Sequence, residues 1–268
     1  MKKMLVVAAL VLALLPLVAV YHKLGDFTTS GNGLDIQVVN NTAYIVEGTS
    51  GLQLVDVSDP QNPVQLGSYA QTGWSANQVA AEGDIACVMA VTGAQCRLQV
   101  IDVSNPQNPA LQGTFTDLAN GDDLALQDGI AYVADGNAGL RLIDVSNPQN
   151  PVQLGLFNQE ANQVEVADSL AYIINGGLGI IDVSDPANPV QLGGYGIDMG
   201  WMGDVTITGN YACATISNGV AGGMLVIDVS DPTNPTGLGS FGFGVKSSIY
   251  NMMALGNIVM VFGAGEDT

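Results

Sequence analysis

Apolar residues in this chain come in short runs separated by Gly, Asn, Asp, Ser and Pro, and the separation recurs. Residues 122–157 show the unit. Leu124-Ala125-Leu126 leads to the turn pair Asp128-Gly129. Ile130-Ala131-Tyr132-Val133-Ala134 follows and stops at Asp135-Gly136-Asn137-Ala138-Gly139. The run from Leu140 to Val145 stops at Ser146-Asn147-Pro148, and Pro151 to Phe157 closes the unit. Each run is too short for a helix and is apolar or β-branched on both alternations. Strands buried on both faces read this way. The pattern therefore predicts four strands, a to d, joined by three turns into one antiparallel sheet, with strand a innermost. After residue 20 no helix-length periodic segment occurs, so the expected class is all-β.

The segment from Ile143 to Pro151 recurs through the chain with its aspartate at Asp56, Asp102, Asp144, Asp182 and Asp228. A period of about 40–45 residues built from short strands marks a propeller blade. Five complete blades are expected, over 34–69, then to Phe115, Phe157, Tyr195 and Phe241, with a partial sixth beginning at Tyr250. The sixth lacks a third strand, which favours a fragment of a longer propeller over an irregular closure. Residues 23–27 match the strand d pattern and are expected to close the ring at the edge of the last blade. The recurring aspartate reads as a turn device, its carboxylate accepting the backbone N–H two residues on. The prolines behind it stop the strand.

The repeated unit, Ile-Asp-Val-Ser-Asx-Pro followed by Asn-Pro and a Leu-Gly-x-Tyr/Phe ending, resembles the LVIVD repeat, a propeller repeat of bacterial and archaeal surface proteins. The resemblance covers nearly all of residues 23–268. It implies a propeller fold and an extracellular setting, and it brings no catalytic motif with it.

Among the 268 residues, 25 are acidic and 6 basic, for a net charge of −19. Such a surface repels nucleic acid and anionic lipid, whose phosphates need Lys or Arg. Residues 1–20, with Lys2, Lys3 and an apolar run to Val20, read as a signal peptide or membrane anchor ahead of a propeller domain over 21–268. Membrane contact is expected only through that segment if it stays uncleaved, and the location is secreted, periplasmic or cell surface. Cys87, Cys96 and Cys213 are expected to be free thiols, with Cys96 the most exposed. Val91 should face Cys96 across a hairpin, which leaves Cys87 too far down the strand for a disulfide.

Aligning the repeats on strand b brings Asp35, Gln78, Asp123, Gln163, Asp204 and Asn251 to one position at the start of strand a. Ile36, Val79, Leu124, Val164, Val205 and Met252 follow them as a first core layer. Two readings fit these polar side chains. They cap backbone N–H groups, or Asp35, Asp123 and Asp204 hold a hard cation such as Ca²⁺, with the amides beside them. The loops joining strand d to the next strand a, at 71–76, 116–121, 158–161, 196–202 and 242–248, open on the same face. They carry Trp74 and Trp201, each a binding anchor or a lid over the core, together with Asp198; Asp122 follows directly after one of them. These residues with Gln78, Gln163 and Asn251 form the candidate ligand face. His22 is the only histidine, so a His-based catalytic group in the body of the chain is excluded. The expected function is a non-enzymatic envelope or secreted propeller that binds a protein or glycan partner on this face. The alternative is a Ca²⁺-assisted hydrolase or lyase at the mouth of the central channel, using metal-bound water.

Overall fold

The Asp-Val-Ser turn sets where every third strand of a sheet ends. The computed structural model describes residues 5–10, 26–93, 95–198, 200–217, 221–245, 248–255 and 258–264. They divide into two compact units, one of Met1–Leu17 with Ala161–Thr268 and the other of Val18–Glu160. In the second unit the sheets are β2 (Asp35–Val39), β3 (Thr42–Val46), β4 (Leu52–Asp56) and β5 (Val64–Tyr69); β6 (Ser75–Glu82), β7 (Ile85–Thr92), β8 (Gln95–Asp102) and β9 (Ala110–Leu118); and β10 (Asp123–Gln127), β11 (Ile130–Ala134), β12 (Leu140–Asp144) and β13 (Val152–Phe157). In the first unit they are β14 (Gln163–Ala167), β15 (Leu170–Ile174), β16 (Leu178–Asp182) and β17 (Val190–Tyr195), then β18 (Trp201–Thr208), β19 (Tyr211–Ser217), β20 (Ala221–Asp228) and β21 (Thr236–Val245). A last sheet sets β22 (Ser248–Leu255) beside β23 (Ile258–Ala264), and β1 (Leu5–Leu10) pairs with the far edge of β23. No helix occurs among the described residues, and no helix there is long and apolar enough to cross a membrane.

β1 thus takes the third-strand position in the last sheet and comes from the segment read as a leader or anchor. The closing strand expected at residues 23–27 lies mostly outside the described residues, and Asp26 and Phe27 belong to no strand. The expected loop at 242–248 is instead largely strand, because β21 runs to Val245 and β22 begins at Ser248.

All five turn aspartates act as the spacing predicts. Asp56, Asp102, Asp144, Asp182 and Asp228 accept the backbone N–H of Ser58, Ser104, Ser146, Ser184 and Ser230 at 2.8–2.9 Å. The hydroxyls of the same serines, and then these backbone N–H groups, hold the carboxyls of Asp56, Asp102, Asp182 and Asp228 below the usual carboxylate range. Beneath the turns the strands are apolar on both faces, as in β12, where Leu140, Leu142 and Ile143 are fully buried. Neighbouring sheets share cores: Val79 and Ala81 of β6 pack with Tyr44, Val46, Leu52 and Leu54 of the preceding sheet. Ile36, expected in the same layer, is 56% exposed, and β2 opens the first sheet of its unit.

One feature of the repeat was not expected. In each of the five four-stranded sheets the pairing of the third and fourth strands slips by one residue, and Leu66, Gln112, Leu154, Leu192 and Leu238 are the bulged residues. The glycine after the bulge then comes close to the next turn. A Cβ on Gly113 would sit 2.3 Å from the Pro148 carbonyl oxygen, whereas one on Gly239 would meet nothing within 4 Å. Gly113→Ala is expected to cost about 1–3 kcal/mol and Gly239→Ala much less. Paired calorimetric melts check this, and equal losses would show that the close approach does not matter.

The three cysteines are free and buried. Val91 pairs with Cys96, and Cys87 pairs with Val100 further down, as the hairpin predicts. Cys96 is the least covered of the three yet only 5% exposed, since it lies in a core cluster with Met89 and Leu98. Burial pushes the Cys87 thiol up to about 12 and those of Cys96 and Cys213 up to about 11, so all three stay protonated and unreactive.

Candidate functional site

Asp35, Asp123 and Gln163 open β2, β10 and β14 as expected, whereas Gln78, Asp204 and Asn251 are the fourth residues of β6, β18 and β22, because those strands begin three residues earlier. Asp35, Gln78 and Asp204 reach sideways to the neighbouring sheet. In the unit of Val18–Glu160, Asp35 accepts the backbone N–H of Val79 at 2.9 Å and of its own neighbour Ile36 at 2.8 Å. Two residues on, the Gln37 side-chain oxygen accepts the N–H of Ala81. Gln78 donates to the Asp122 carbonyl at 3.0 Å and to the Asp123 carboxylate at 3.2 Å. In the unit containing Ala161–Thr268, Asp204 accepts from Val205 at 2.9 Å and from Met252 at 2.5 Å. Asp35 and Asp204 therefore tie one blade to the next through backbone donors. Burial raises the Asp35 carboxyl above its ordinary value, and its two backbone bonds work against that. Among the described residues no group of three or more His, Cys, Asp or Glu is placed to hold a metal ion. This geometry favours the capping reading of the polar position. Asn251 lies in β22, and its side chain falls outside the described residues.

The two tryptophans behave differently. Trp74 is half-buried, with the Arg97 guanidinium stacked 3.4 Å from its ring centroid. The Gln71 side-chain oxygen receives Arg97 and, at 2.8 Å, Gln99. With Leu52, Tyr69 and Val88, Trp74 walls a void of only about 10 Å³, so it covers the core beneath the 71–76 segment. Trp201 begins β18 and is 52% exposed. The next residues, Met202, Gly203 and Asp204, line an open cleft of about 260 Å³ with Asn162, Gln163, Ile174 and Thr215. Thr215 accepts the Asp204 N–H at 2.8 Å, which leaves its hydroxyl proton available. Asp122 and Asp198 are exposed on their loops.

Three residues of chemical interest escaped the sequence reading. Glu165 lies two residues beyond Gln163 on β14, and its carboxyl is pushed up to about 7, first by burial and then by the charge of Asp204. Its signal was a lone acid at a position filled elsewhere by Gln37, Ala80, Ala125, Thr206 and Met253. Asp135, fully buried, accepts the backbone N–H groups of Ala119, Asn120 and Gly121 at 2.8–3.0 Å. It also accepts the Arg141 Nε–H at 2.7 Å. Arg141 itself reaches Gln153 at 2.8 Å and the exposed Asp117 at 3.5 Å. Asp135 and Arg141 thereby fix the loop that leads to Asp122 and Asp123.

The LVIVD repeat model matches residues 30–71, 73–117, 120–159, 158–196 and 199–242. The chain belongs to the LVIVD-repeat family. Its blades resemble those of a putative 6-phosphogluconolactonase from Bacteroides uniformis, at 13% identity and a TM-score of 0.69 over 84% of this chain and 77% of that one. The WD40 β-propeller domain of Doa1 matches at 12% identity and a TM-score of 0.63, over 85% of this chain and 74% of that one. A computationally designed protein, Ika8, matches at 12% identity and a TM-score of 0.60, over 86% and 67%. At these identities the likeness shows the β-propeller fold alone. A comparison with curated proteins finds no match.

Proposed function

We propose that this LVIVD-repeat chain is a non-catalytic binding module, secreted or displayed on the cell envelope, that takes a protein or glycan partner on its loop face. The observation that carries this reading is the exposed Trp201, which directly precedes in the chain a cleft where Asn162, Gln163 and Thr215 stand with Asp204, Ile174 and Met202. A rigid aromatic next to amide and hydroxyl groups suits an uncharged polar partner. The net charge of −19 disfavours an anionic one. The apolar N-terminal run supports the extracellular placement.

Purified protein applied to glycan and peptide arrays is expected to give a signal that Trp201→Ala and Asn162→Ala each reduce at least tenfold while melting like the native chain. An unchanged signal in both variants would sink the reading. Glu165 favours a second reading, a hydrolase or lyase, because a carboxyl that titrates near neutrality can move a proton. In that case turnover of a glycan substrate is expected and is lost in Glu165→Gln.

A further inference from the structure

Two blades of the same unit carry a buried carboxylate at the same place, and among the described residues only one of the two has its charge balanced by a side chain. Glu47 follows β3 as Asp135 follows β11. Each opens the same turn: Glu47 N–H donates to the Gly51 carbonyl and Asp135 N–H to that of Gly139, both at 2.9 Å. In both turns the glycines at the second and fifth positions have positive φ. Each carboxylate also holds the backbone of the preceding loop, Gly31 in one blade and Ala119 to Gly121 in the other.

The difference lies on the third strand, three residues before the turn aspartate. There β12 has Arg141 and β4 has the neutral Gln53. Both oxygens of Asp135 are occupied, one by loop N–H groups and the other by the guanidinium. In Glu47 a single oxygen, Oε2, takes Ser30 Oγ–H, Gly31 N–H and Gln53 Nε2–H, each at 2.9 Å. Glu47 Oε1 and Gln53 Oε1 are both buried and have no hydrogen-bond partner among the described residues. Glu47 is 2% exposed and Gln53 is 4% exposed. Among the described residues no Lys, Arg or His lies within ion-pair distance of Glu47. A buried carboxylate with one bare oxygen and no counter-charge is expensive, and a second bare acceptor beside the same network compounds the cost.

We propose that a small hard cation, Na⁺ or Ca²⁺, sits against Glu47 Oε1 and Gln53 Oε1 and does in this blade what the Arg141 guanidinium does for Asp135. Both bare atoms are oxygens, which select a hard cation over a soft one. A Cβ built on Gly31 would lie 2.9 Å from the Glu47 carbonyl oxygen and 3.0 Å from Ser50 Oγ. The missing side chain at Gly31 is what lets this segment lie against the turn. The site is separate from Asp35, Asp123 and Asp204, and it is independent of the proposed binding function.

The test uses the full chain exchanged into choline chloride and titrated with NaCl, KCl, MgCl₂ or CaCl₂ at fixed ionic strength, with the melting transition as readout. A saturable rise of several degrees with Na⁺ or Ca²⁺ is expected, by preferential binding to the folded state. Gln53→Arg builds the arrangement of the Arg141 blade into this one and is expected to abolish the response while melting in choline at least as high as the native chain. Glu47→Gln, which removes the charge, is expected to abolish the response as well. The proposal is overturned if no cation exceeds the choline reference, or if Glu47→Gln keeps the native response. It is equally overturned if infrared difference spectra of the native chain against Glu47→Gln show that Glu47 is a protonated acid.

Discussion

Replacing Asp135 with alanine is expected to lower the melting temperature by roughly 6–20 °C. The side chain is fully buried and is the common acceptor for three consecutive backbone N–H groups and one guanidinium. Its removal leaves the N–H groups of Ala119, Asn120 and Gly121 without their acceptor. It also leaves the Arg141 charge, on a side chain only 13% exposed, with the neutral Gln153 at 2.8 Å and the exposed Asp117 at 3.5 Å. Breaking a buried pair from one side costs about 3–5 kcal/mol, far more than an exposed pair contributes. Arg141→Met should also destabilise, because it strands the carboxylate. The double variant should lose less than the two single losses added together. Hydrogen exchange at residues 119–121 should quicken in Asp135→Ala before the sheet amides change. A small loss without faster exchange in that loop would show that Asp135 is not its anchor.

Glu165→Gln should make the protein more stable at pH 8, by up to about 3 kcal/mol, and leave it unchanged near pH 4. The Glu165 carboxyl is raised from 4.5 to about 7, first by burial and then by Asp204. The folded state therefore holds this proton more tightly than the unfolded chain does. Its contribution to stability is fully present below about 4.5 and is lost as pH rises through about 7. Glutamine keeps the shape and carries no charge, so the difference between variant and native melts should open across that window and then level off. The exposed turn aspartates shift the other way. Their bonds to Ser58, Ser104, Ser184 and Ser230 favour the charged form, so they support the fold above the ordinary carboxylate range and release it as pH falls through their depressed values. Both forms share these residues, and subtraction removes them. A pH-independent difference would mean that Glu165 is solvated.

The sequence disclosed whatever the chain repeats locally. The Asp-Val-Ser turn, the strands it ends and the Val91–Cys96 hairpin follow from short-range rules, because an Asx side chain and its turn lie within a few residues of each other. The alignment on strand b also found the polar position at Asp35 and Asp204. Its partners were missed, since the N–H of Val79 lies 44 residues away and belongs to the backbone, which has no letter of its own. The Asp135–Arg141 and Glu47–Gln53 pairs were hidden for a related reason. Each joins a turn to the next strand, and what matters is that both groups are buried together. A polar residue closing an apolar run, as Glu47, Asp135 and Asn175 do, was the available clue. Trp74 and Trp201 were indistinguishable as letters. Only the position of Arg97 over Trp74 separated the covered ring from the open one.

The tie from Asp35 to Val79 has a consequence for how such a chain grows. The acceptor is a side chain, but the donor is a main-chain N–H that every residue except proline carries. Where Asp35 or Asp204 makes the joint, a blade is therefore received without regard to most of its own sequence, unlike at Gln78, which also reaches the Asp123 side chain. A copied repeat inserted beside its parent would find its first hydrogen bonds already specified. Side chains on the outer turns and loops could then diverge without disturbing the joint. Lengthening by duplication thus needs no matched pair of mutations at the new seam, and an array of this kind can change its number of repeats in a single genetic event.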